Sequence, residues 1–166
     1  MRVYIPATLP MLTQLVADRL IHARSGTAFA VTPTLREAYS EGDDEELAEV
    51  ALADAALASL RLLAGEQGEP AASPRRAVLV ADVEGVTVRP DLDDAVVRLA
   101  GPVAIDDIVA AYVDNSGAEP AVLRAIEVID EADLGDEDAE LAVGDAQDHD
   151  LAWYAPQELP FLLELL

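Results

Sequence analysis

Two copies of one phrase bracket the chain and constrain its fold more than any other feature. Residues 4–15 read YIPATLPMLTQL and residues 154–165 read YAPQELPFLLEL. Both follow Tyr-x-Pro-x-x-Leu-Pro-(Met/Phe)-Leu-x-x-Leu, so Tyr4, Pro6, Leu9, Pro10, Leu12 and Leu15 match Tyr154, Pro156, Leu159, Pro160, Leu162 and Leu165. A proline is tolerated in the first turn of a helix, and leucines three or four apart share one helical face. Each copy therefore reads as a short strand, a stiff turn and an amphipathic helix. Both ends of the chain are predicted to join one sheet, with Tyr4 and Tyr154 in equivalent places.

Between the two copies the elements follow from caps and periodicity. Thr8 is the expected cap of the first helix, with Pro10 in its first turn. Residues 27–31 (TAFAV) read as a strand, and Thr32 with Pro33 opens a short helix that Gly42 ends. Asp43 and Glu46 have capping-box spacing at the start of the strongest helix. From Val50 to Ala64 only Asp54, Ser59 and Arg61 are polar, which predicts a helix covered on most sides. Asp54 and Arg61 fall within about 20° of each other around that helix. They are assigned to its solvent edge, because solitary buried charges are costly.

Residues 76–83 (RAVLVADV) form the continuous apolar run expected of a central strand. Residues 86–90, 95–100 and 109–113 are further strand candidates. A helix is predicted from Pro120 to Ala132, a short one over 136–143, and a closing strand at LAWYA before a last helix starting near Leu159. Alternation of strands and helices in the first half predicts an α/β fold. The expected architecture is a single domain over 1–166, with a mixed, mostly parallel sheet of about five or six strands flanked by helices. Residues 65–75 (GEQGEPAASPR) are expected to form a flexible loop.

Composition narrows the function classes. Half of the residues are hydrophobic, which excludes a disordered chain despite the charge. There is no Cys, hence no disulfide framework, thiolate metal site or cysteine nucleophile. No apolar run is long enough for a membrane helix, and a cytoplasmic location is expected. The formal net charge is −23, and all ten basic residues are Arg. Residues 41–69 carry −8 and residues 114–166 carry −14. Such a field repels nucleic acid and anionic membrane and attracts basic partners.

The opening RVYIPAT, the stretch TPTLREAYSEGDDEEL and the ending GDEDAELAVGDAQDHDLAWYAPQE together resemble a family of small, acidic, uncharacterised actinobacterial proteins. The resemblance covers most of the chain and rests on structural phrases rather than a catalytic motif. It implies an actinobacterial, cytoplasmic source, and it supplies no activity, substrate or cofactor.

Several clusters invite chemistry. Asp148-His149-Asp150 ahead of Trp153 and Tyr154 is the most suggestive, since flanking carboxylates favour the imidazolium and place His149 among candidate acid–base groups. Asp148, His149, Asp150 and Tyr154 are thus the candidate catalytic residues of a small enzyme or ligand-binding domain, with a pocket at the carboxyl ends of parallel strands. Trp153, Tyr154 and Tyr4, with the acidic Asp136, Glu137 and Asp138, are the candidate binding residues. Trp153 and Tyr154 are adjacent, so in a strand they face opposite sides and the exposed one is a natural interface anchor. The acids between Glu127 and Asp150 fit no EF-hand register, and no metal or cofactor is expected. Walker and G-x-G-x-x-G loops and the G-x-S-x-G elbow are missing. The leading expectation is a non-enzymatic acidic module for a basic protein partner, with mimicry of nucleic acid as its sharpest form. A homodimer through an exposed side of the 44–64 helix is a further reading.

Overall fold

A strand that is apolar on both sides must be covered on both sides, and the chain begins with one. In the computed structural model, which describes residues 1–65 and 74–166, β1 (Arg2–Ala7) is buried from Val3 onward. The anticipated loop at 65–75 falls largely outside the described residues. Thr8 then caps α1 (Leu9–Asp18), accepting a hydrogen bond from the Met11 N–H at 3.4 Å. Arg19 ends that helix in the left-handed region and donates its N–H to the Leu15 carbonyl at 2.8 Å.

The chain continues through β2 (Leu20–Ile21), β3 (Thr27–Phe29), α2 (Pro33–Ala38, capped by Thr32) and α3 (Asp44–Gly65). Asp43 accepts the Glu46 N–H at 2.8 Å ahead of α3, at the spacing the sequence predicts. There follow β4 (Ala77–Asp82), β5 (Thr87–Val88), β6 (Val96–Arg98), β7 (Val103–Ala104) and β8 (Ile108–Val113). Last come α4 (Glu119–Asp133), α5 (Glu137–Gln147), β9 (Ala152–Tyr154) and α6 (Leu159–Leu165). Helix α5 runs on past the predicted 136–143 as far as Gln147.

Among the described residues seven strands form one sheet in the order β5-β6-β3-β1-β4-β8-β9, and β2 with β7 forms a separate ribbon. Every neighbouring pair is antiparallel. The mostly parallel sheet of five or six strands is therefore overturned. The physical reason lies in β1, which is inserted between β3 and β4. Those two strands are parallel to each other, as their crossover through α2 and α3 requires, but each bonds to β1 and not to the other. A strand covered by helices on both faces shows the same continuous apolar run whether its neighbours are parallel or antiparallel.

Helices pack on both faces. Leu12 and Leu15 of α1 and Leu159 and Leu162 of α6 cover the face carrying Val3, Ile5, Leu79 and Ala111. Ala51, Ala55 and Ala56 of α3 cover Tyr4, Val78, Val80 and Ala110 on the other. Farther along, Leu60 and Leu63 of α3 pack against Val122, Ala125 and Ile129 of α4. This double burial is why α3 is apolar nearly all round. Ser59, fully buried in it, donates to the Ala7 carbonyl at 2.7 Å and accepts the Ala77 N–H at 3.0 Å, tying α3 to β1 and β4. Of the polar pair, Arg61 lies at the solvent edge and reaches Asp133 at 2.9 Å. Asp54 is half-buried, and desolvation, with Asp93 and Asp94 nearby, pushes its carboxyl up to about 6.

The terminal echo joins one sheet as expected, but its copies are not neighbours. β4 and β8 lie between β1 and β9, so the two echoed strands run in opposite directions. Tyr4 packs on the α3 side and Tyr154 on the α1–α6 side. β1 extends as strand through Ala7, whereas after Tyr154 a 3-10 turn intervenes at Pro156–Glu158. A change of phase by one residue in a strand moves a side chain to the other face. The expected equivalence of the two tyrosines, and a pocket at the carboxyl ends of parallel neighbours, are both corrected by this geometry.

Candidate functional site

The α3 helix leaves one corner of the sheet open, with the exposed Trp153 and half-buried Tyr112 on it and the buried Tyr4 at its edge. Trp153 lies opposite Tyr112 across the β8–β9 pair, and Tyr4 lies opposite Val80. With Arg2 and Val109 these residues line a recess of about 270 Å³. The chain holds only seven aromatic residues, so three in one recess is a concentration. Local sequence chemistry builds the corner. β8 carries one extra residue opposite Val80, and this bulge turns Val109 outward. Trp153 is 56% exposed, an unusual place for the sole tryptophan. Burial raises the Tyr4 hydroxyl above its ordinary value. Arg2 closes the rim through a two-pronged pair with Asp82 at 3.0 and 3.1 Å, which holds the Asp82 carboxyl below the usual range.

A second cavity, of about 490 Å³, opens between α3 and the segment leading into β9. Leu52 and Ala56 of α3 and Leu151 make its apolar wall, and Glu49, His149 and Asp150 stand around it. Its floor is Arg76, which is fully buried. Asp114, equally buried, meets the Arg76 guanidinium at 2.8 and 2.7 Å and accepts the Arg76 N–H at 2.8 Å. The guanidinium also donates to Gln147 Oε1 at 2.9 Å and to the His149 carbonyl at 2.8 Å. Gln147 in turn donates to the Ala53 carbonyl at 3.1 Å. One buried ion pair thus pins the ends of β4 and β8, the close of α5 and the middle of α3, and it sets the path of the chain into β9. Nothing in the sequence reading singled out Arg76 or Asp114. Their signal appears only once pairing is known: Ala77 faces Val113, so the charged residues just outside the two apolar runs face each other.

The structure sorts the sequence candidates into separate places. His149 and Asp150 share the larger cavity, whereas Asp148 is exposed outside its lining. Tyr154 faces the opposite side of the sheet from Trp153, so the candidate set Asp148, His149, Asp150 and Tyr154 does not converge on one space. Trp153 and Tyr4 do come together. Asp136 serves as the cap of α5, accepting the Ala139 N–H at 2.9 Å. Glu137 and Asp138 are exposed in the first turn of α5, where negative charge suits the helix dipole. They stand about 15 Å along α5 from Gln147, outside both recesses. Among the described residues no group of three His, Asp or Glu side chains is placed to hold a metal ion. Among the same residues no helix is long and apolar enough to cross a membrane.

No curated protein and no solved structure matches the chain. A family model does, as the resemblance of the opening and closing phrases implies. That match spans residues 1–163, nearly the whole fold and both recesses. The chain belongs to that family, described as a family of unknown function (DUF6912).

Proposed function

We propose that this protein is a non-enzymatic binding module that holds a basic protein partner on the uncovered corner of its sheet. The observation that carries the reading is Trp153, more than half exposed on the last strand beside Tyr112 and Tyr4, in a chain of net charge −23. Tryptophan and tyrosine in a partly desolvated recess are the residue types that dominate interface energetics. The surrounding negative field steers cationic partners and rejects nucleic acid and anionic membrane. A partner that itself binds nucleic acid fits this best, the acidic surface standing in for phosphates. A cytoplasmic, actinobacterial setting goes with the reading, supported by the cysteine-free and lysine-free composition.

Native complexes purified at low and at high salt test it. Wild-type protein should retain a basic partner at low salt and lose it at high salt, and Trp153→Ala should lose it at both. Binding should also shift the fluorescence of Trp153, which has no other tryptophan to obscure it. A preparation that retains no basic protein at low salt would refute the proposal.

A further inference from the structure

The two recesses lie in succession along one side of the sheet's last strand. Among the described residues β9 pairs with β8 alone, at the end of the strand order. Leu151 and Trp153 are two residues apart, and both belong to the α3 side of the sheet. Leu151 lines the 490 Å³ cavity and Trp153 the 270 Å³ recess. Two residues of extended chain advance about 7 Å, and residues at that spacing point to the same face. A strand lying beside β9 therefore sets alternate side chains against Leu151 and Trp153, at the outer walls of the two recesses.

Charge distinguishes the two. In the larger cavity Arg76 is already paired with Asp114, so among the described residues the charges around the opening without an ion pair are those of Glu49 and Asp150. Its wall of Leu52, Ala56 and Leu151 suits an aliphatic stem. This combination of an apolar wall and a carboxylate rim fits a Lys or Arg side chain. The Trp153 recess, with Tyr4, Tyr112 and Val109, suits an apolar or aromatic one. A strand at the end of a sheet presents unpaired N–H and C=O groups, and adding a strand to such an edge is a recurrent mode of peptide recognition.

We infer that an extended basic segment adds to the outer edge of β9 as an eighth strand, setting a Lys or Arg in the Glu49–Asp150 cavity and an apolar neighbour, two residues away, on Trp153. This rests on the reading of the protein as a module for a basic partner and names how that partner is held. The three-residue length of β9 limits unselective pairing, so the side-chain recesses supply the selection.

The probe is a capped hexapeptide of alternating Lys and Val with one Leu in place of the central Lys, titrated by Trp153 fluorescence and by backbone amide shifts. Binding should move the amides of residues 151–154. Methylating alternate peptide nitrogens, which keeps every charge but removes strand hydrogen bonds, should weaken binding at least tenfold. Glu49→Gln with Asp150→Asn should weaken it at least threefold, whereas Glu137→Gln with Asp138→Asn should leave it unchanged. Equal binding by the methylated peptide, equal losses in the two double variants, or no binding at millimolar peptide would each overturn the inference. A native basic partner lost in Trp153→Ala but held normally by the Glu49–Asp150 variant would overturn it while the binding-module reading stands. Failure to retain any basic partner would strike that reading itself.

Discussion

Replacing Asp114 by Ala removes three hydrogen bonds at once and leaves the Arg76 guanidinium as a buried charge without a counterion. The Arg76 N–H, its Nε and one terminal nitrogen all point at the Asp114 carboxylate, between 2.7 and 2.8 Å, and both residues are fully buried. Breaking a buried pair by removing one partner costs about 3–5 kcal/mol, and the orphaned backbone N–H adds about 1 kcal/mol. That is a large share of the roughly 5–15 kcal/mol that holds a domain of this kind together. Gln147→Ala removes one contact to the guanidinium and one to the Ala53 carbonyl, and should cost about 1.5–3 kcal/mol. Replacing both charged residues, Arg76→Met with Asp114→Leu, removes the uncompensated charge and should recover at least half of the loss. Equilibrium urea unfolding of the four proteins measures this directly. An Asp114→Ala variant within 1 kcal/mol of wild type at an unchanged slope, or a double variant that loses as much as Asp114→Ala, would refute the argument that this pair acts as one buried unit.

Asp54 has a folded-state carboxyl at about 6 against an ordinary 3.8, so the folded protein holds its proton more tightly than the unfolded chain. The resulting penalty is absent below pH 3.8, grows as pH rises toward 6 and is complete above it. Asp54→Asn should therefore raise stability by about 1–2 kcal/mol near pH 8, after allowing for solvent screening, and by little near pH 4. Thermal melts at the two pH values decide it, and an equal gain at both would contradict the assignment. Ser59→Ala leaves the Ala7 carbonyl and the Ala77 N–H without their side-chain partner and should cost about 1–3 kcal/mol in urea unfolding. A neutral Ser59→Ala would mean that α3 is held on the sheet by apolar contact alone.

What the sequence determined by itself is local and mostly concerns where elements start, stop and hide. Thr8, Thr32 and Asp43 cap the helices they were expected to cap, because a cap is a bond across three residues of chain. The final helix begins at Leu159, and Trp153 lies in a strand with Tyr154 on its other side, as the terminal echo implies. The apolar run in α3 signalled a helix covered by more than one layer. Periodicity records which sides of an element are dry, and says nothing about what dries them.

Tertiary structure decided the rest. Insertion of β1 between β3 and β4 made the sheet antiparallel throughout, a choice among partners far apart in the chain that leaves the apolar pattern of each strand unchanged. The Arg76–Asp114 pair exists because two strand ends meet, and neither residue's neighbourhood in sequence differs from that of an ordinary surface charge. The echo is the sharpest case. Its two tyrosines occupy the same place in one sequence pattern, yet a 3-10 turn after Tyr154 changes the phase and turns Tyr154 away from the face that holds Tyr4. With a strand period of two residues, that slip is also what leaves Trp153 on the uncovered corner beside Tyr4 and Tyr112.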